Sequence, residues 1–182
     1  MTEINIYKDS RAYILAKMIV DNNFTKFVEI GLYKCSMLKM ILKSNMSDKI
    51  EEYWGVDNFN HIESGYHREL TTEVWDRAYA QACRLMIKHK SLRILRMKSV
   101  NASMLFKNGY IDMIFIDGSH DYDSVSEDIK SWEPKIRKGG IISGHDYDYK
   151  TGKWGWNVKK AVDDYYGERV NILPGCIWYV NL

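Results

Sequence analysis

The feature that most limits what this chain can fold into is an alternation. Five short apolar runs, KFVEIG, EYWGVD, LRILRM, YIDMIFID and GIISGHD, begin at Lys26, Glu52, Leu92, Tyr110 and Gly140. Between them lie stretches whose apolar residues recur at helical spacing, clearest in Val74, Ala78, Ala82 and Met86. Runs apolar on both faces read as parallel strands, and parallel neighbours need a crossover long enough for a helix. The pattern predicts an α/β fold, a three-layer sandwich with a mostly parallel sheet covered on both faces.

The ends of the chain add detail. Ala12, Leu15, Met18 and Ile19 place an amphipathic helix over Ser10 to Asn22. The segment SMLKMILKS reads as the helix behind the first strand. Val125, Ile129, Trp132 and Ile136 predict a helix after the fourth strand, stopped near Pro134 and Gly139–Gly140. A further helix starts at Asn157 as N-cap and stops at Gly167. VNILPGCIWYV sets Pro174–Gly175 between two β-rich runs, an antiparallel hairpin that brings the sheet to seven strands. No repeat or linker interrupts the chain. The expectation is a single domain over residues 1–182, with an N-terminal helical segment to residue 24 and the core over 25–182.

Composition removes several function classes. Lys and Arg exceed Asp and Glu by 26 − 24 = 2, and both signs are scattered, so no basic stripe points to nucleic acid. The three cysteines, Cys35, Cys83 and Cys176, lie far apart with no CxxC spacing, as in a reduced cytoplasmic protein. No stretch is apolar for the ~18 residues a membrane span needs. The expectation is a soluble cytoplasmic protein with no membrane or nucleic-acid partner.

Open parallel sheets bind ligands beyond the carboxyl ends of their strands. The residues there are Glu29, Gly31 and Tyr33 after the first strand, Asp57 and Asn58 after the second, and Ser99 and Asn101 after the third. Asp117, Ser119 and His120 follow the fourth strand, and His145 and Asp146 follow the fifth. The strand bodies are apolar while five consecutive ends carry acids or hydrogen-bonding groups. Some have structural readings: Ser99 as the cap of a short helix, and Asp121 and Asp123 as acids at the start of the next helix. The aromatic stretch HDYDYKTGKWGW offers Tyr149, Trp154 and Trp156 either for stacking on a flat acceptor or for packing beneath the helix that follows.

In order, these segments resemble class I S-adenosylmethionine-dependent methyltransferases. They resemble most the small O-methyltransferase family that includes macrolide-sugar methyltransferases and relatives of cephalosporin hydroxylase. Tyr110 to Tyr147 carries the likeness in IDGSHDY and GGIISGHDY, and NVKKAVDDYYG follows; FVEIGLYK and WGVDNF match less specifically. The resemblance implies S-adenosylmethionine as cofactor, bordered by Glu29, Gly31 and Asp117. Tyr33 and Ser36 would lie near its carboxylate, Asp57 at its ribose and Ser99 at its adenine. In one respect the sequence departs from the family: a second glycine and a serine usually follow the first glycine, and here those places hold Cys35 and Met37, with Ser36 one position early.

In metal-dependent relatives an acid after the fourth strand and a pair after the fifth hold a divalent cation. By that likeness Asp117, His145 and Asp146 would hold magnesium, or manganese given the imidazole. His120 would be the general base, its ordinary pKa lying near neutral pH. Tyr149, Trp154 and Trp156 would contact a sugar, glycan or other small-molecule acceptor. A homo-oligomer is compatible with this reading. Two rivals remain: a non-catalytic binding or assembly protein that keeps the fold, favoured by Cys35 and Met37, and a nicotinamide oxidoreductase. The second rival predicts a GxGxxG that GLYKCS does not supply.

Overall fold

The computed structural model describes residues 11–44, 48–60, 69–147 and 153–182. In chain order the elements are α1 (Arg11–Asp21), β1 (Lys26–Ile30), α2 (Ser36–Lys43), β2 (Glu52–Asp57), α3 (Thr72–Lys88), β3 (Leu92–Arg96) and α4 (Ser99–Ser103). They continue with β4 (Ile111–Ile116), α5 (Tyr122–Trp132), β5 (Ile136–Gly144), α6 (Lys153–Tyr166), β6 (Asn171–Leu173) and β7 (Ile177–Asn181). One sheet of seven strands runs β3-β2-β1-β4-β5-β7-β6. The first five are mutually parallel, with Val28 beside Trp54 and Ile30 beside Ile116. β7 runs antiparallel between β5 and β6, so the expected terminal hairpin is present.

Alternation along each strand builds two cores. Phe27, Tyr53, Met113, Phe115 and Ile141 face one side, where Leu15 and Ile19 of α1, Leu38 and Ile41 of α2, and Ala78 and Ala82 of α3 close over them. Val28, Ile30, Val56, Ile114, Ile116 and Ile142 face the other, under Val125, Ile129 and Trp132 of α5 and Val158, Ala161 and Val162 of α6. β4 is buried at all of its residues, as a strand covered on both faces must be. Local chemistry sets the helix ends. Asp121 caps α5 by accepting a 2.9 Å hydrogen bond from the Ser124 N–H, as its place in the sequence suggested.

Two boundaries differ from the sequence expectation. Ile136 opens β5 instead of closing the preceding helix, because Pro134 interrupts the helical pattern before it. α6 begins at Lys153, so Asn157 lies inside the helix and does not cap it. Among the described residues no helix is long and apolar enough to cross a membrane.

Candidate active site

The order of strands reverses between β1 and β4: from β1 the chain winds outward through β2 and β3, then returns to β4 on the other side. A crevice opens beyond the carboxyl ends of strands at such a point. Glu29 of β1 with Gly31 just after it, Asp57 at the end of β2 and Asp117 just after β4 meet there.

At this crevice Gly31 has φ +89°, and a Cβ there would lie 2.1 Å from the Asp117 carbonyl oxygen and 2.5 Å from its carbon. Only glycine lets the ends of β1 and β4 approach this closely, joined by the 2.8 Å bond from Asp117 N–H to the Ile30 carbonyl. Asp57 ties the first loop down: Oδ2 accepts from the Leu32 and Tyr33 N–H groups, both at 2.9 Å, and Oδ1 accepts from Phe59 N–H at 2.7 Å. Glu29 is 2% exposed and accepts a hydrogen bond from the Tyr53 hydroxyl. Burial pushes its carboxyl up to about 8; the Tyr53 bond opposes the rise and the nearby Asp117 charge adds to it.

The departure at Cys35 proves local. Cys35 has φ +56°, the left-handed conformation that glycine usually supplies, and its side chain is buried in the core on the α2 face. Burial pushes the thiol up to about 12. Met37 is buried in the same core, while Ser36 is exposed at the start of α2. Asp57 at the end of β2 and Asp117 just after β4, on either side of Gly31, are the groups here that could meet a nucleoside-bearing cofactor. Ser99 opens α4, and its hydroxyl accepts a 2.7 Å hydrogen bond from the Trp132 indole N–H, which turns it toward α5.

Beyond β4 and β5 four side chains gather. His120 Nε2 lies 2.8 Å from Asp146 Oδ2, and His145 Nδ1 lies 3.0 Å from Asp146 Oδ1 and 3.6 Å from Asp117 Oδ1. Asp117, His120 and Asp146, with His120 where the sequence expectation had His145, each offer a ligand atom within 4.8 Å of the others, close enough that one ion could meet all three. The donor set, carboxylate oxygens with imidazole nitrogen, fits a hard or borderline cation. Asp146 adopts φ +58°, a left-handed conformation unusual for a residue with a side chain, and this turns its carboxylate between the two imidazoles. Burial works against its charge, but the hydrogen bonds from His120 and His145 prevail and hold the carboxyl well below the usual range. The same bond to Asp146 raises His120 above its ordinary value. Asp117 is raised by burial, with Arg11 and His145 opposing and Asp146 adding to the rise.

A small cleft lined by Ile116, His120, His145, Val158 and Trp178 runs from this cluster toward α6. The Trp178 indole floors it, packed so closely under β5 that a Cβ on Gly144 would lie 2.6 Å from its ring atoms. Trp156 is 56% exposed on α6 and does not pack beneath the helix. Tyr149 and most of the Asn58–Leu70 segment lie outside the described residues, as does the side chain of Trp154. Sequence reasoning missed Arg11, whose guanidinium reaches Asp117 Oδ2 at 2.6 Å from 106 residues away. Its one signal was a cation in the first turn of a helix, where the dipole disfavours positive charge.

The methyltransferase-domain family matches residues 28–147, about two thirds of the chain. The chain belongs to that family, and its fold is that of the class I S-adenosylmethionine-dependent methyltransferases. Among solved structures it is similar to the O-methyltransferase NovP (19% identity, TM-score 0.66, covering 99% of this chain and 81% of that one). It is also similar to Podospora anserina methyltransferase PaMTH1 in its SAH-bound form (12%, TM-score 0.65, 93% and 76%). A third is CalS11, a TDP-rhamnose 3'-O-methyltransferase (14%, TM-score 0.59, 98% and 83%). At these identities the likeness establishes the fold. A search of curated protein sequences found no match.

Proposed function

We propose that the protein transfers a methyl group from S-adenosylmethionine to a hydroxyl oxygen of a sugar or another small molecule, with a divalent cation at the carboxylate–imidazole cluster. The single observation that carries this reading is the convergence of Asp117, His120, His145 and Asp146 beside a crevice with an acid at the end of β2. The family match supports methyl transfer. The sugar acceptor is supported by the likeness to a protein described as acting on TDP-rhamnose.

S-adenosylmethionine supplies an electrophilic methyl group on a sulfonium. Glu29, Gly31, Tyr33, Ser36, Asp57, Ser99 and Asp117 would line its place. Asp117, His145 and Asp146 would hold the cation, magnesium or manganese, whose chemistry there is to lower the pKa of an acceptor hydroxyl. Asp146 Oδ2 fixes the His120 ring through Nε2, and the carboxylate makes the imidazole a better proton acceptor. His120 would take the proton of the acceptor hydroxyl, leaving its oxygen free to accept the methyl group. Because this is a direct displacement, the residues of the crevice contribute mainly alignment. Trp156, with Tyr149 and Trp154, would present aromatic surface to the acceptor.

Calorimetry with S-adenosylhomocysteine, followed by methyl-transfer assays with nucleotide-sugar acceptors, tests this reading. The expected result is saturable heat with the wild type, and His120→Ala that keeps this affinity but loses ~10²–10⁴-fold in turnover. No heat with the cofactor product would point to a non-catalytic protein and end the proposal. One variant of the reading draws on the ligand spacing itself, in which His120 is a third ligand and not a base. His120→Ala would then weaken manganese binding as well as turnover.

A further inference from the structure

Asp117 presents its two oxygens to different partners. Oδ1 faces His145 at 3.6 Å, and Oδ2 receives the Arg11 guanidinium at 2.6 Å. Arg11 is brought there by packing. It opens α1, whose Ala12, Leu15, Ala16 and Ile19 are buried, so the helix cannot slide without exposing core. The first turn of α1 contains no acid, and a cation there opposes the helix dipole. The pair with Asp117 is what offsets that placement. The Asp117 side chain is 18% exposed and Arg11's is 40% exposed, so the acid is enclosed and the guanidinium closes over it from outside.

We infer that Arg11 is a positioning residue for the cation site: by binding Oδ2 it fixes the χ angles of Asp117, so that Oδ1 points at the ligand atoms of His145 and Asp146. This rests on the proposed reading of the cluster as a cation site. A carboxylate that coordinates a metal commonly has its other oxygen held by a hydrogen bond, and loss of such a partner costs about 10- to 100-fold in affinity. Arg11 is suited to the task because a planar guanidinium constrains the carboxylate it binds more tightly than an ammonium does. Without it, Asp117 would be free to rotate within the space the guanidinium leaves.

The test is manganese binding to the purified protein, read by the electron paramagnetic resonance signal of free Mn²⁺, for wild type, Arg11→Met and Arg11→Lys. Arg11→Met keeps the aliphatic cover of α1 and should weaken binding by about ten-fold or more. Arg11→Lys restores one donor and should recover part of that loss. A thermal melt of each variant keeps folding separate from binding. If wild type binds and Arg11→Met binds equally or more tightly, the inference is overturned; tighter binding would mean that the guanidinium competes with the ion. Should the wild type itself bind no manganese, the cation reading fails and this inference falls with it, a result distinct from the first. If Arg11→Met does not fold, Arg11→Gln takes its place beside Arg11→Lys, and affinity equal to wild type in both refutes positioning.

Discussion

Two glycines in touching turns should respond oppositely to the same substitution. At Gly31 the Cβ of alanine would sit 2.1 Å from the Asp117 carbonyl oxygen, with Gly118 Cα at 2.8 Å. All of these are backbone atoms, so no side chain can rotate to make room. The left-handed φ of +89° costs alanine about 1–2 kcal/mol. Overpacking adds roughly 1–3 kcal/mol. Straining the Asp117 N–H bond to Ile30 adds up to about 1 kcal/mol more. Gly31→Ala should therefore destabilise by about 2–6 kcal/mol, toward the lower end where β1 and β4 part slightly. For a chain of this size that is roughly 4–24 °C in Tm. Gly118, by contrast, would place its Cβ in ordinary contact, 3.7 Å from Ile30 Cγ2, without positive φ. Gly118→Ala should be neutral, or stabilise by about 0.4–1 kcal/mol through the unfolded chain. Parallel urea and thermal unfolding of both variants measures this. Gly31→Ala within about 1 kcal/mol of wild type, or equal losses at both sites, would refute the claim that backbone contact holds this crevice.

The remaining predictions concern protons and thiols. In the metal-free protein, ¹H–¹⁵N NMR should place His120 above its ordinary 6.5, and Asp146→Asn should lower it; no change on substitution would remove Asp146 as the cause. Because His120 is raised and Asp146 lowered, their pair contributes fully between about pH 4 and 6.5, losing value as pH rises through the His120 pKa or falls through that of Asp146. The stability gap between wild type and Asp146→Asn should thus be widest near pH 5–6 and shrink as pH rises through the His120 pKa. Cys35, buried with its thiol pushed up to about 12, should react with a disulfide reagent only on unfolding, well after the half-buried Cys83 and Cys176. Equal rates for all three thiols would contradict its burial.

Much of this architecture was legible because periodicity reports burial. Strand bodies such as Ile111–Ile116 read as apolar runs because helices cover both faces, and the polar residues after each run mark where that cover ends. Ile136 misled because it continues a helical spacing that Pro134 has already broken, and period alone does not record that break. The start of α6 was obscured for a related reason: Asn157 has a capping side chain, but Lys153–Trp156 were already helical. At the site, sequence identified which residues stand at the strand ends but not how they pair. The approach of His120 and His145 to one carboxylate depends on the left-handed turn at Asp146, and the approach of Arg11 to Asp117 depends on packing of α1. Neither is a local property of the chain.

Residues in left-handed backbone are concentrated where the crevice is built. Tyr33 and Cys35 adopt φ +43° and +56° in the loop after β1, and Asp146 adopts +58° after β5. Each costs of order 1 kcal/mol or more for a residue with a side chain, and such conformations persist only where surrounding bonds over-determine them. Here those bonds are identifiable. Asp57 holds the Leu32 and Tyr33 N–H groups, the Cys35 N–H bonds to the Leu32 carbonyl at 2.6 Å, and the residues either side of Asp146 are tied by His145 N–H to Ile116 and Tyr147 N–H to Cys176. Cys35 thus adopts the left-handed backbone that glycine usually supplies, with its thiol buried in the core beneath α2. Asp57, through its bonds to the Leu32 and Tyr33 N–H groups, holds that loop in place. A ligand that draws on the Asp57 carboxylate must share it with three backbone donors, so binding at this position and the shape of the first loop are linked through one side chain.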